Sequence, residues 1–407
     1  MVRSENTGRE QHFDGAGAEA DVPERSSVRS SRSWSWYIGA RIDGRLAAAE
    51  LSARTAGAPT ANVVAVTESL VDRAREIADS VLFPAALDVD ATGEIPDSHW
   101  RTIAEAGLYG IAVPTDLGGP DLGFGDLIEI LELMAAGCLA TAFTWVQHHG
   151  MLAALSATTN TALRDELLPD VAAGRTRGGV AFAGAVPVPP RMRADRIDGG
   201  WRLVGHAPFV SGWGVIDVIQ FSAGDNATGD IVSGVLAAEV QPGITSVQAQ
   251  SLFVADATKT VSIEVDGLVI PDGRVVSRVT RADFMANQNF GSRLNGTLPI
   301  GVARRCIGLL DDAGRPDAAE RLRADATAVR TRLDAGLADS AALLEARAEA
   351  AELAVRAAAA VVANDGGAAL LRTSPAQLVA RDATFTLVAA SRPELKQSLV
   401  RRFSTPS

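Results

Sequence analysis

Only two cysteines, Cys138 and Cys306, occur in the 407 residues. Two thiols make no disulfide framework, so a reduced, cytoplasmic protein is expected. Lysine is as scarce: Lys259 and Lys396 stand alone, and arginine supplies the other cations. The formal net charge is −11 with no long basic run. Phosphate contacts need clustered Lys and Arg, so no nucleic-acid partner is expected. No uninterrupted apolar run approaches the roughly 18–20 residues of a membrane helix. The stretch 357–363 is short and follows Arg356. The N-terminus lacks the apolar segment of a secretory signal. What the chain does have is 47% hydrophobic residues, enough for a large core divided over two or three domains.

Residues 1–60 mix Ser, Arg and Trp without helical or strand period and read as a disordered extension. From Val63 the pattern turns helical. Val66, Leu70, Ile77 and Val81 share one face, and Pro84 is expected to end that helix. Asp97 is a candidate cap for a helix carrying Trp100 and Ile103, and Asp126 with Glu129 reads as a capping box. Apolar segments around 127–134 and 141–157 predict buried helices. At Gly178 strands take over, with a turn at Asp198-Gly199-Gly200 and strand-like runs at 217–223, 234–240 and 260–271. Helical pattern returns near 281 and includes Ala-rich segments at 317–333, 335–363 and 374–390. The expected fold is α+β and multidomain. A helical domain over 63–177 precedes a middle antiparallel β-barrel or sandwich over 178–280 and a C-terminal four-helix bundle over 281–403.

Four quoted segments, in order, carry a family resemblance: "WRTIAEAGLYGIAVPTDLGGPDLGFGDLIEILE" (100–132), "LLPDVAAGRTRGGVAFAG" (167–184), "GGWRLVGHAPFVSGWGVIDVIQFSA" (199–223) and a C-terminal Gly-Gly, Pro, Arg-Asp-Ala skeleton. The set resembles the acyl-CoA dehydrogenase superfamily. The resemblance implies FAD between the middle and C-terminal domains, a homodimer or homotetramer, and oxidation of an acyl thioester at Cα–Cβ. It places Phe209, Val210 and Ser211 beside the flavin ring, Phe182, Ala183 and Gly184 at its pyrimidine edge, and Gly366 and Gly367 at the cofactor phosphates. Gly366-Gly367 also reads as an ordinary helix-ending turn after Asn364-Asp365. The family's Ser-Asp loop is here "AGAVPVPPRMRAD" (183–195), and its Arg-x-x-Phe-Gly segment is not visible.

The resemblance also puts a catalytic glutamate at Ala390 or, in some members, at Gly291. Neither residue can take a proton, so the usual base is missing. Glu394 lies one turn past Ala390, but after Pro393 it is expected on the surface. "TWVQHHG" offers Gln147, His148 and His149, with the imidazoles suited to acid–base work; a helix-end pair satisfied by backbone or water is the plainer alternative. "DFMANQNFGSRLNG" offers Arg293 for a carboxylate or phosphate and Gly291 for pocket space; an exposed polar helix start is the alternative. Trp213 could wall a flavin or simply fill the core.

Three functions follow as expectations. The first is an FAD-dependent dehydrogenase with a non-standard base, passing electrons to an acceptor. The second is a flavin monooxygenase fed reduced flavin (FAD or FMN) by a reductase. The third is a non-catalytic subunit.

Overall fold

The protein is described by a computed structural model that covers residues 70–120, 122–390 and 392–405. The expected extension over 1–60 lies outside the described residues. Helix 70–77 runs through a π-helical turn, Ala78–Leu82, into α1 (Phe83–Thr92). Pro84 therefore does not end the helix. It sits in the first turn of α1, where the N–H that proline lacks is not needed. The stop comes at Gly93, in a left-handed conformation.

Helix α2 (Asp97–Glu105) has Pro96 as its N-cap, with Asp97 one position inside. Helix α3 (Phe124–Gly137) begins at Gly123, so Asp126 lies in the first turn and caps nothing; Glu129 instead meets Arg75. Two further helices, α4 (Leu139–Ala157) and α5 (Thr161–Ala172), complete the first helical region. Asn160 caps α5 by accepting from the Leu163 N–H at 3.2 Å.

Eight strands follow: β1 (Gly178–Ala181), β2 (Met192–Ile197), β3 (Gly200–Val210), β4 (Val218–Asp225), β5 (Ile231–Ala237), β6 (Ile244–Ala249), β7 (Val261–Pro271) and β8 (Val275–Val279). They form one sheet in the order β6-β7-β3-β2-β4-β5-β8, with β1 beside β4. The sheet is mixed and not purely antiparallel as expected, because β1–β4 and β2–β4 run parallel. The cause is a single excursion. β1 pairs with Val218–Phe221 and β2 with Gly224–Asp225, so the two follow one another along one side of β4 with the same direction. The loop 182–191 leaves the sheet between them. Trp213 packs against the apolar core of this sheet.

The remaining helices are α6 (Arg281–Asn295), α7 (Thr297–Asp312), α8 (Pro316–Ala335), α9 (Ser340–Asp365), α10 (Pro375–Val388) and α11 (Pro393–Ser404). Helices α7–α10 pack on one another as the bundle and share a core with α3 and α4. At the α3–α7 crossing the backbones nearly touch: a Cβ on Gly301 would lie 2.6 Å from the Glu132 carbonyl. Against expectation, one stretch, Ser340–Leu370, is long and apolar enough to cross a membrane. The bundle explains its composition. Leu343, Ala350, Leu353 and Val361 are buried, while Glu345, Glu349, Glu352 and Arg356 pair with Arg401, Arg332, Arg402 and Asp325.

Candidate functional site

The sheet contributes the exposed end of β3. Its pairing with β7 shifts register between Ala207 and Val210, and inside that bulge Phe209 takes φ 53°. A left-handed aromatic residue is uncommon. The bulge turns Phe209 outward, 70% exposed, while Val210 is buried. Ser211 is buried too, and its hydroxyl is 2.7 Å from Thr260 Oγ1, itself 2.8 Å from Thr258 Oγ1. The predicted hydroxyl is thus engaged within the sheet domain.

Loop 182–191 is closed at Phe182, whose carbonyl accepts from Ala185 N at 2.9 Å. Phe182 and Ala183 are half-buried and Gly184 is buried. Arg281, at the start of α6, donates to the carbonyls of Ala185, Val186 and Pro187. One guanidinium therefore fixes the segment that replaces the family's Ser-Asp loop. No sequence signal announces this, since a backbone cradle leaves no side-chain motif.

Helix α4 carries the histidines inward. His148 Nδ1 accepts the Gly178 N–H at 3.0 Å, joining α4 to β1, and its ring meets Tyr109 edge-on at 4.7 Å. His149 meets Trp145 edge-on at 4.5 Å, and neither of its ring nitrogens has a partner. Burial holds His148 down at about 3 and, with His148 beside it, pushes His149 well below its usual range. Both imidazoles are neutral at pH 7. Gln147 is half-buried and donates to its own helix at Phe143 O.

A pH prediction follows. The unfolded chain protonates these histidines near pH 6.5, whereas the folded chain resists protonation until far lower pH. The stability they confer is complete above 6.5 and is lost as pH falls from 6.5 toward about 3. Each contributes a slope of about 1.4 kcal/mol per pH unit in that window. Urea midpoints between pH 7 and 4 should fall less steeply in His149→Phe than in the wild type.

On α6, Arg293 is fully buried, contrary to the exposed alternative. It meets Asp334 at 2.6 Å and lies over the Phe124 ring. Gly291 is half-buried with open space where a Cβ would point. Gly366 has φ 60° and ψ −137°, which glycine alone adopts readily, so a backbone reason suffices for it. Gly367 beside it is exposed, with open space where a Cβ would point.

The end of α10 holds the position of the absent acid. Ala389 is buried; Ala390 is exposed and left-handed at φ 49°. Glu394 is exposed. Arg347 of α9, 2% exposed, donates to Ala389 O at 2.9 Å. Phe143 and Phe385 touch edge-on at 4.9 Å, which sets α4 against α10. The structure thus joins α4, α10 and α9 at one end of the bundle.

The Arg-Asp-Ala triplet has a separate job. Arg381 forks onto Asp90 at 2.8 and 2.5 Å and donates to Phe253 O at 3.0 Å. It clamps α10 to α1 and to a loop of the sheet domain. Asp382 lines the small cleft beneath, with Asp90, Cys138 and Leu378. Burial, reinforced by Asp90, raises its carboxyl to about 8. An acid raised in the folded state stabilises at low pH, and that stability is lost as pH rises from the carboxylate range through about 8. Asp382→Asn should therefore raise the melting temperature at pH 8, by an equivalent of at least about 1 kcal/mol, and change it little at pH 4.

Residues 65–175 match the acyl-CoA dehydrogenase N-terminal domain. The 2-methylacyl-CoA dehydrogenase of Solanum tuberosum mitochondria is 22% identical over 365 residues, 80% of this chain and 87% of that protein. The solved structure of a glutaryl-coenzyme A dehydrogenase in its glutaryl-CoA complex superposes with a TM-score of 0.73 at 17% identity, over 85% of this chain and 96% of that one. Residues 65–175 are thus an acyl-CoA dehydrogenase N-terminal domain, and the chain as a whole has the fold of the superfamily's solved structures. A Mycobacterium smegmatis glutaryl-CoA dehydrogenase in complex with FADH2 is likewise similar in fold, with a TM-score of 0.71 at 14% identity, over 83% of this chain and 94% of that one. Against the superfamily's pattern the chain departs where an acid is expected: Ala390 and Gly291 occupy both positions that the resemblance assigns to it.

Proposed function

We propose that this chain is an FAD-dependent oxidoreductase acting at the CH–CH bond of an acyl thioester, without the usual glutamate. The observation that carries the reading is Phe209. An aromatic side chain held outward by a strained bulge, 70% exposed, is what a planar cofactor would cover. The half-buried Phe182–Ala183 segment and the open Gly366–Gly367 turn fit the same ligand. Ser211 fits less well, because its hydroxyl already bonds Thr260. Bound flavin would supply the hydride acceptor; Phe209 would cover it, and loop 182–187 would be held against it by Arg281.

His149 is the imidazole left for proton transfer, since His148 already joins α4 to β1. Its low proton affinity makes it a weak base, which favours a substrate with an acidified α-proton or a reaction that does not begin with proton removal. A homodimer or homotetramer is supported by the exposed Leu370, Leu371 and Val388. Reoxidation falls to an electron acceptor such as an electron-transfer flavoprotein. The deciding measurement is the absorption spectrum as purified. Bound yellow flavin that an acyl-CoA bleaches anaerobically supports the reading. A colourless protein that binds reduced flavin and hydroxylates only with a reductase would replace it with the monooxygenase. Full turnover in His149→Ala would remove His149 from the chemistry.

A further inference from the structure

We propose that the turn at Ala389–Ala390 receives an oxyanion carried on the acyl chain of the substrate, a carboxylate in the simplest case, with Arg347 and Arg392 as the cations that hold it. The proposal rests on the acyl-thioester reading above and narrows its substrate class.

The argument begins with charge balance. A buried cation is costly unless an anion and hydrogen bonds meet it. Arg293 has Asp334, and Arg330 has Glu132. Arg347 has no carboxylate among the described residues. Its one bond is Nη2 to Ala389 O, and Nη1 is buried without a partner. Burial alone lowers its guanidinium to about 10, as expected where no anion offsets the loss of water.

Arg392 repeats the pattern two residues beyond Ala390 in the chain. It is half-buried, its Nη2 is buried without a partner, and burial lowers its affinity for the proton, with Glu394 opposing. Glu394 itself is exposed, so water already solvates its charge.

Two under-neutralised guanidiniums thus border one turn. That turn holds a left-handed, exposed alanine, a strained and accessible backbone of the kind that collects at ligand sites. Arginine's planar fork suits a carboxylate, which it binds through paired N–H bonds. A small side chain at 390 leaves room for it.

The test compares glutaryl-CoA with valeryl-CoA, which share chain length and differ by a terminal carboxylate. Calorimetry on the full chain as purified, at fixed ionic strength, is expected to show a preference of about tenfold or more for glutaryl-CoA. Arg392→Gln should bring the two within about threefold, by weakening glutaryl-CoA. Arg392→Lys should keep part of the preference, which a structural role alone would not require. Arg347→Gln, checked for an intact melt, should act like Arg392→Gln. No preference in the wild type, or a preference surviving both glutamine variants, overturns the proposal and leaves the thioester reading standing.

If neither thioester binds, the same proteins are melted with free glutarate or inorganic phosphate. Stabilisation by glutarate that Arg392→Gln abolishes keeps the oxyanion site and sinks the thioester reading. Phosphate stabilising as well as glutarate overturns the assignment to a carboxylate, and no shift overturns both.

Discussion

Ala390→Glu is expected to raise oxidation of a simple acyl-CoA such as butyryl-CoA by roughly 10²–10⁴-fold, the usual range for a placed general base. The substitution puts a carboxylate where the superfamily resemblance puts one, on an exposed residue at the end of α10. It adds little strain, because Ala390 already occupies the left-handed region at φ 49°. Arg347 bonds the adjacent carbonyl, so the new carboxylate would gain a nearby cation and stay ionised at neutral pH. The rate should rise as pH climbs through the acid's pKa and then level off. Ala390→Gln has the same shape without the base and is the matched control. Equal rates in the two, at equal flavin content, would show that position 390 does not face the reacting carbon. The same variant bears on the oxyanion site. The introduced carboxylate would neutralise Arg347 itself, so the gain with butyryl-CoA should come with loss of any preference for glutaryl-CoA. Ala390→Gly should stabilise the protein by about 1 kcal/mol, because glycine relieves the positive φ.

How much of this was legible depends on what each residue advertises. Strands β3 and β7 show because one face is buried and alternates along the strand. Strand β6 was missed because it has no buried residue and carries no alternation. The parallel pairs around β4 could not be read, since they arise from two strands sharing one edge across a loop, a long-range arrangement. Pro84 misled because a π turn upstream resets the helix, and no local signal marks that turn.

The site divides the same way. Phe209 was identified by resemblance, and the structure adds the bulge that exposes it. His148 and His149 are legible as a pair on a helix expected to be buried, but not the bond from Gly178 that takes up His148 while His149 has none. Arg347 was invisible: in "LLEARAEAAEL" it reads as one more charge on a solvated face. Only the three-dimensional packing of α9 against the end of α10 turns it inward. Arg381 is legible only as part of the Arg-Asp-Ala triplet that carries the resemblance, and the structure shows it as a clamp onto Asp90 and Phe253.

The second large effect concerns Arg330→Met, expected to destabilise the fold by about 3–5 kcal/mol. Glu132, on α3, is 0% exposed and meets Arg330 of α8 through both oxygens, at 3.0 and 2.5 Å. Removing the arginine leaves a carboxylate whose side chain is 1% exposed without its partner in the core. Glu132 would then bind a proton more readily folded than unfolded. The variant's deficit should be largest near pH 7 and shrink as pH falls toward about 4, where the unfolded glutamate is protonated too. A packing defect would instead cost the same at both pH values. Urea midpoints at about pH 7 and about pH 4.5 separate the two. Pairing the change with Glu132→Leu should recover most of the loss, because an apolar pair of similar volume has no charge to desolvate. If the double variant stays as unstable as Arg330→Met, the ion pair is not what holds α3 to α8, and the shared apolar core of the helical regions does so alone.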